Sequence, residues 1–324
     1  MRAFVTGATG LVGQHLVAAL HQAGDNVRVL VRPSSVLPAW PRAVQTCLGD
    51  LLQPAGLERH LEDVDVVYHC AARLAVGGPR EAYWRVNVGA TRALLQAAAA
   101  SGVRRFVFVS SIAAYGVSGH LVTEEQPLLA RDSYGGSKVA AEHLLGLEAP
   151  GCLETVVLRP CLIYGPGDRF FVPRVAPVAR RLGWLPVPLA AGGAGLLDLV
   201  HAADVAVALV LAGRTPAAAG RAYNVTGGDP RPLRQVLDIL FRAAGRRLRV
   251  VPMPRLPVAL LLKALGLLSR GAQPRGRGVL AGHHHCFDIG RARAELGYRP
   301  RMRLEEALPA AVREALRMGP LPGS

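Results

Sequence analysis

The feature that most constrains the fold lies at the start of the chain. Ala3 to Thr6 is a short β-type run, Thr6-Gly7-Ala8-Thr9-Gly10-Leu11-Val12-Gly13 follows, and Leu16, Val17 and Leu20 continue at helical spacing as far as Gly24. A strand, a turn with glycines at 7, 10 and 13, and then a helix predict a βα unit whose turn cradles a pyrophosphate. Gly7 permits the tight turn, Gly10 lets backbone approach the phosphates, and Gly13 lets helix and strand pack closely. The helix N-terminus adds N–H groups and the positive end of its dipole. Gly7, Thr9, Gly10, Leu11, Val12 and Gly13 are the candidate cofactor contacts of this turn.

The alternation then repeats. Val27 to Val31 reads as a second strand ending at Arg32. An Asp or Glu there would hydrogen-bond the ribose hydroxyls of NAD, whereas Arg32 puts a cation where a 2′-phosphate would sit and predicts NADP, with NAD as the alternative. Val44 to Leu48 is a third strand, followed by Gly49-Asp50-Leu51. Asp50, with Leu51 beside it, is placed to meet the adenine, and an Asp after a strand is also a common cap. Val64 to His69 leads into Cys70-Ala71-Ala72, where small residues let backbone pass under the cofactor. Glu81 to Ser101 is a long amphipathic helix, and Arg105 to Val109 delivers Ser110 and Ser111 to the edge of the sheet where ligands bind. Ile112 to Asp132 reads mostly as loop, and Thr155 to Leu158 as a sixth strand. The expected fold is α/β, a Rossmann-type doubly wound parallel sheet with helices on both faces. Residues 1–164 form the nucleotide-binding domain, to which some later segments return. Residues 165–324, apolar and Pro-rich, form mainly a smaller mixed substrate lobe.

Tyr134-Gly135-Gly136-Ser137-Lys138 opens the next helix. Four positions are just over one turn, so Tyr134 and Lys138 share a face. A phenol with a reference pKa of about 10 becomes a usable acid or base when an ammonium lies beside it. The same spacing also fits a helix with one half-buried Tyr and one solvated Lys. What tips the reading is Ser111, 23 residues upstream at the end of a strand, together with the phosphate-cradling turn.

The formal charge of +15 invites a nucleic-acid reading, but the chain has only two lysines, Lys138 and Lys263, and its arginines are scattered. A solvated surface accounts for them better than a specific nucleic-acid site. The five cysteines form no C-x-x-C pair, which suits a reducing cytosol, and a strand within a few residues of Met1 leaves no room for a signal peptide. Cytoplasmic localisation is expected. His283-His284-His285-Cys286 lacks zinc spacing, and no metal is assigned. Val258 to Leu268 is too short to span a bilayer and reads as a buried helix. With Arg270, Arg275 and Arg277 beside it, peripheral membrane contact through 256–277 stays open.

Taken together, Thr6-Gly7-x-x-Gly10-x-x-Gly13, Ser111, Tyr134-x-x-x-Lys138 and Arg159-Pro160…Tyr164-Gly165-Pro166-Gly167 resemble the extended short-chain dehydrogenase/reductases, the group that includes the NAD(P)-dependent epimerase/dehydratases. The resemblance continues through Leu199 to Val205, Ala222-Tyr223-Asn224-Val225, and Phe287-Asp288…Ala294-Glu295-Leu296-Gly297-Tyr298. It is greatest to the 3β-hydroxysteroid dehydrogenase and dihydroflavonol-reductase branch. It implies Tyr134 as catalytic acid/base, Lys138 lowering its pKa and binding the nicotinamide ribose, Ser111 holding the reacting oxygen, and Pro160 among the cofactor contacts. A homodimer is implied as well. Two positions depart from the pattern: Ala90 stands where Gly is frequent, and Ala203 replaces the first of two acids, leaving Asp204 alone to cap the helix after His201.

Ser111 is followed by Ile112 and Ala113, which carry no proton to give or take, so dehydration is disfavoured. Arg32 fits net redox chemistry better than epimerisation on a tightly held NAD. The expected activity is hydride transfer between the cofactor and a secondary alcohol or ketone on a sterol-like, lipophilic or alicyclic small molecule. A nucleotide-sugar epimerase is the alternative, with Arg169, Arg174, Arg180 and Arg181 as candidate diphosphate contacts or a solvated helix face. A non-catalytic, cofactor-sensing or nucleic-acid-binding relative is a second alternative.

Overall fold

A computed structural model describes residues 1–74, 79–116, 121–182, 184–188, 195–253 and 284–318. In chain order the first half comprises β1 (Arg2–Thr6), α1 (Leu11–Gln22), β2 (Asn26–Val31), β3 (Gln45–Leu48), α2 (Leu57–Leu61), β4 (Val66–His69), α3 (Arg80–Trp84), α4 (Ala90–Ala100), β5 (Arg105–Val109), α5 (Ser133–Glu148) and β6 (Glu154–Pro160). The second half comprises β7 (Leu162–Tyr164), α6 (Val172–Leu182), β8 (Trp184–Pro188), β9 (Leu196–Leu197), β10 (Leu199–His201), α7 (Ala202–Arg214), β11 (Ala222–Val225), β12 (Arg231–Pro232), α8 (Leu233–Ala243), β13 (Arg249–Met253), α9 (Gly290–Glu295) and α10 (Leu304–Met318).

Seven strands form one parallel sheet in the order β11-β6-β5-β4-β1-β2-β3. The strand order reverses between β1 and β4, and in a doubly wound sheet the crevice at that switch point is where ligands bind. Apart from Arg105, β4 and β5 read as apolar or aromatic runs because helices cover both faces, and every residue of both is buried. Arg105 is buried at the start of β5, where its guanidinium bonds the carbonyls of Ala212 and Thr215 and pairs with Glu154.

α7 packs on α1, and β11 adds the seventh strand beside β6. One core therefore includes Val205, Leu209, Tyr223, Val225, Phe287 and Tyr298 from the second half of the chain. A separate core joins α6, α8 and α10 through Ala176, Val236, Leu240, Phe241, Leu308 and Val312.

Two local expectations change. Residues 81–101 are not one regular α-helix: Arg85–Gly89 is a π-turn between α3 and α4. The Thr91 hydroxyl donates to the Asn87 carbonyl at 2.8 Å, and the Ala90 N–H reaches back to the Arg85 carbonyl, which widens the turn. Asp204 does not cap α7. His201 does, its Nδ1 accepting from the Ala203 N–H at 3.2 Å, while the Asp204 carboxylate accepts from the Arg301 and Met302 N–H groups at 2.9 and 3.1 Å and ties down the approach to α10. A short polar side chain in a first turn bonds whichever unsatisfied N–H groups are brought to it, and the tertiary fold brought these. Ala90 is buried at the start of α4, so the fold accommodates its methyl where Gly is frequent.

Candidate active site

At the end of β1 the chain turns through Gly7, whose φ of +68° lies in the left-handed region. A Cβ on Gly7 would stand 2.5 Å from the Ala71 backbone N, and one on Gly13 would stand 2.2 Å from the Gly7 carbonyl oxygen. The turn, the start of α1 and the segment after β4 thus meet backbone to backbone, leaving the α1 N–H groups facing the crevice with no acidic residue in the first turn. Thr9 is half-buried, its carbonyl accepting from Gln14 Nε2 at 2.9 Å, and Leu11 and Val12 are half-buried at the head of the helix. Ala71 and Ala72 are half-buried at the end of β4. This cradle fits a pyrophosphate.

Arg32 is exposed one residue beyond β2, and Asp50 and Leu51 lie half-buried just beyond β3. Asp50 also accepts from the Leu52 N–H at 3.0 Å, making a small turn of its own. Pro160 is buried at the end of β6, opposite Val225.

The polar end of the crevice is assembled from β4, the π-turn, β5 and α5. Tyr134 and Lys138 are 5% and 2% exposed, and Lys138 Nζ donates to the Val109 carbonyl at 2.7 Å. The ammonium lies 4.6 Å from the Phe108 ring centroid and 6.0 Å from that of Tyr134. The solvated-lysine alternative therefore does not hold. Ser111 is 8% exposed and opens a 3₁₀ turn over Ile112–Tyr115, accepting from the Ala113 N–H at 3.2 Å. α5 starts against that turn: Asp132 caps it through the Gly135 N–H at 2.6 Å, and a Cβ on Gly135 would stand 2.4 Å from the Ala113 carbonyl oxygen. Gly135 thus lets the helix approach the segment carrying Ser111, while Gly136 faces the Trp84 ring.

His69, at the end of β4, bonds the Thr6 hydroxyl at 2.7 Å and the Thr91 hydroxyl at 2.9 Å. Thr91 spends its proton on the Asn87 carbonyl, so it accepts from His69 Nε2–H, and His69 Nδ1 accepts from Thr6. One donor and one acceptor describe a neutral ring. Burial, aided by the Lys138 charge, drives its pKa down to about 3. Burial pushes the adjacent Cys70 thiol up to about 12, with Lys138 opposing. Asn87 accepts from the Arg73 N–H at 2.7 Å and donates to Ser137 Oγ at 2.8 Å, stitching the segment after β4 to α5.

Sequence reasoning missed a further group. Glu142, one turn beyond Lys138, holds Arg159 of β6 through Nε at 3.1 Å and Nη2 at 2.6 Å, and accepts from the Ser110 hydroxyl. Arg159 Nη1 donates to the Tyr115 hydroxyl at 2.7 Å, which donates to Asn224 Oδ1 at 2.8 Å. The available signal was Glu142 at the same four-residue interval as Tyr134 and Lys138.

Elsewhere, α6 buries Val172, Ala176 and Ala179 and leaves Arg180 and Arg181 exposed, while Arg174 lies over the Phe170 ring. Arg169 is exposed in the preceding loop. His284 Nδ1 accepts from the Leu196 N–H at 3.3 Å and the His285 N–H donates to the Leu196 carbonyl at 2.8 Å, and among the described residues no three His, Cys, Asp or Glu side chains are grouped to hold a metal. No helix among the described residues is long and apolar enough to cross a membrane, and the 256–277 stretch and His283 lie outside those residues.

The sequence matches the NAD dependent epimerase/dehydratase family over residues 3–226. It is 32% identical over 327 residues to the 4-hydroxy-2-methyl-3-oxo-4-farnesyl-3,4-dihydroquinoline-1-oxide ketoreductase of Stigmatella aurantiaca, covering 96% of this chain and 95% of the relative. It is 33% identical over 319 residues to sterol demethylase protein B of Methylococcus capsulatus, covering 93% and 94%. Among solved structures, MoeE5 in complex with UDP-glucuronic acid and NAD superposes with a TM-score of 0.79 at 27% identity, covering 98% of this chain and all of that one. The chain belongs to the NAD dependent epimerase/dehydratase family and is an NAD(P)-dependent enzyme of the extended short-chain dehydrogenase/reductase type.

Proposed function

We propose that the protein is an NADP-preferring oxidoreductase that interconverts a secondary alcohol and a ketone on a lipophilic small molecule. The observation that carries this reading is the burial of Tyr134 and Lys138 together on the face of α5 that packs against the segment carrying Ser111. Ser111 holds the substrate oxygen, Tyr134 gives or takes its proton, and Lys138 holds the nicotinamide ribose and supplies positive charge beside the phenol. A bound nicotinamide supplies or accepts hydride at C4. Gly7, Gly10 and Gly13, with Thr9, Leu11 and Val12, hold the pyrophosphate. Ala71, Ala72 and Pro160 border the cofactor, and Asp50 and Leu51 border the adenine. Arg32, exposed after β2, takes a 2′-phosphate, which is the basis for preferring NADP over NAD. The lipophilic substrate class draws on the ketoreductase and sterol demethylase relatives and on the lack of polar residues after Ser111. The branch resemblance to 3β-hydroxysteroid dehydrogenases belongs to the same reading, as do a cytoplasmic homodimer and the 165–324 substrate lobe.

The test is NADPH oxidation with a 2-alkyl-3-oxo acid and a 3-oxosteroid as probes. Turnover of either, with Tyr134→Phe slower by roughly 10²- to 10⁴-fold and NADPH affinity kept, is expected. An unimpaired Tyr134→Phe removes Tyr134 from the chemistry. No turnover of either ketone, with interconversion of UDP-glucuronic acid epimers instead, replaces the reading with epimerisation.

A further inference from the structure

We propose that Glu142 and Arg159 are positioning residues that set Ser111 against Tyr134. The inference rests on the reading of Ser111 and Tyr134 given above and adds what holds them in place.

Tyr134, Lys138 and Glu142 follow each other at four-residue intervals, so they line one gently drifting face of α5. Only the first two reach the crevice. The Glu142 carboxylate is spent further along, where it takes the Arg159 fork with Nε at 3.1 Å and Nη2 at 2.6 Å, and the Ser110 hydroxyl. The side chains of Glu142 and Arg159 are 6% and 8% exposed.

Ser111 is thereby bracketed. On its N-terminal side Ser110 is bound to Glu142, and its N–H donates to the Leu158 carbonyl at 2.7 Å. On its C-terminal side the 3₁₀ turn that Ser111 opens closes at Tyr115, whose hydroxyl accepts from Arg159 Nη1 at 2.7 Å. That hydroxyl passes its own proton to Asn224 Oδ1 at 2.8 Å, which ties the turn to β11. One carboxylate on the helix that carries Tyr134 therefore controls, directly and through one guanidinium, both ends of the segment that presents Ser111.

Stability alone is a poor reason for such a pair. A buried ion pair is commonly replaceable by apolar residues at little or no cost, whereas removing one partner strands a charge. A planar fork that bonds a carboxylate with one edge and a phenol with the other fixes angles as well as distance, which lysine cannot do. Hydrogen transfer is steeply sensitive to placement, and an error of about 1 Å can cost roughly 100-fold.

Four variants of the full-length protein test this: Ser110→Ala, Arg159→Lys, Glu142→Gln, and the charge-free double variant Glu142→Leu with Arg159→Met. Each is assayed for thermal stability, for NADPH binding by fluorescence, and for turnover of the ketone probe per NADPH-binding site. Ser110→Ala strands no charge and should fold and bind NADPH as the wild type does, with kcat down roughly 3- to 10-fold at nearly constant KM. Arg159→Lys, Glu142→Gln and the double variant should lose roughly 10- to 100-fold in kcat per binding site, whatever their thermal stability. Wild-type kcat in Ser110→Ala and in the double variant, while Tyr134→Phe is inactive, overturns the positioning role and leaves the proposed reaction standing. A Tyr134→Phe enzyme as active as the wild type overturns the reaction and this inference together. Variants whose losses disappear once rates are expressed per binding site also overturn the proposal, because they report folding alone.

Discussion

At the end of β1 the crevice is lined by backbone, and at the end of β5 by buried side chains. Gly7 and Gly13 leave no room for a Cβ against Ala71 and against each other's turn, so the cradle works by what is missing. Around Ser111 the opposite holds: Tyr134, Lys138, Glu142, Arg159, Tyr115 and Asn224 come from α5, β6, a 3₁₀ turn and β11, and each polar group is placed by a partner. A backbone site is intolerant of added atoms, and its charge preference comes from the helix end and not from side chains. A side-chain site tolerates changes of shape better than changes of hydrogen bonding, because a buried polar group left alone costs about 1–3 kcal/mol.

The sharpest way to break that comparison is to add one methyl group at the cradle. Gly13→Ala puts a Cβ 2.2 Å from the Gly7 carbonyl oxygen, so β1 and α1 must part. We expect loss of detectable NADPH binding and about 1–3 kcal/mol of stability, read by fluorescence titration and chemical unfolding. Wild-type affinity in this variant would show that the cradle has slack and that backbone contact is not what defines it.

Arg32→Ser probes the rim of the same backbone site, where a side chain does contribute. Arg32 is exposed, so the chain should fold normally. NADPH affinity should fall roughly 10- to 100-fold and NADH affinity should stay nearly constant. Equal losses for both cofactors would assign Arg32 to adenine stacking and remove the NADP preference.

The smallest effect is one of pH, and it belongs to the side-chain region. His69 and His201 are held down to about 3 and about 4 by burial, below the ordinary 6.5, with the Lys138 and His15 charges adding to it. The unfolded chain therefore binds protons below pH 6.5 that the folded chain refuses, and stability falls as pH drops through that window. Asp198 acts in the other direction: burial raises it to about 6 from 3.8, so the fold gains its proton first and recovers part of the loss. Burial raises Asp168 and Glu124 as well, so the carboxylates offset more of the loss as pH falls further, and the histidine-driven decline should be clearest between pH 7.5 and 6, at no more than about 1.4 kcal/mol per pH unit. Unfolding curves at pH 7.5, 6 and 5 check this, and a flat profile would mean that His69 and His201 are not buried as neutral rings.

How much could be read without the structure follows the same division. The βα turn was legible because its physics is local: a strand, three glycines and a helix lie within 22 residues. Tyr134 and Lys138 were legible as a pair because helical periodicity alone puts them on one face, and Ser111 because a strand delivers it to the ligand edge. The alternation of strands and helices sufficed for the parallel sheet. Asp204 was misread as a helix cap because its partners, Arg301 and Met302, lie nearly a hundred residues later. The π-turn at Asn87 escaped because it depends on which carbonyl the Thr91 hydroxyl takes.

What the sequence by itself determined, then, is whatever depends on neighbours within a turn or two: the glycine turn between β1 and α1, the shared face of Tyr134 and Lys138, and the cation after β2. Only the tertiary structure decided that Lys138 is buried against Val109, that His69 is a neutral link between Thr6 and Thr91, and that Glu142 reaches Ser110 and Arg159 together. The physical reason is desolvation. In the sequence Glu142 and Arg159 are two charges among many, and they become a bidentate clamp only where packing removes the water that would otherwise compete for them.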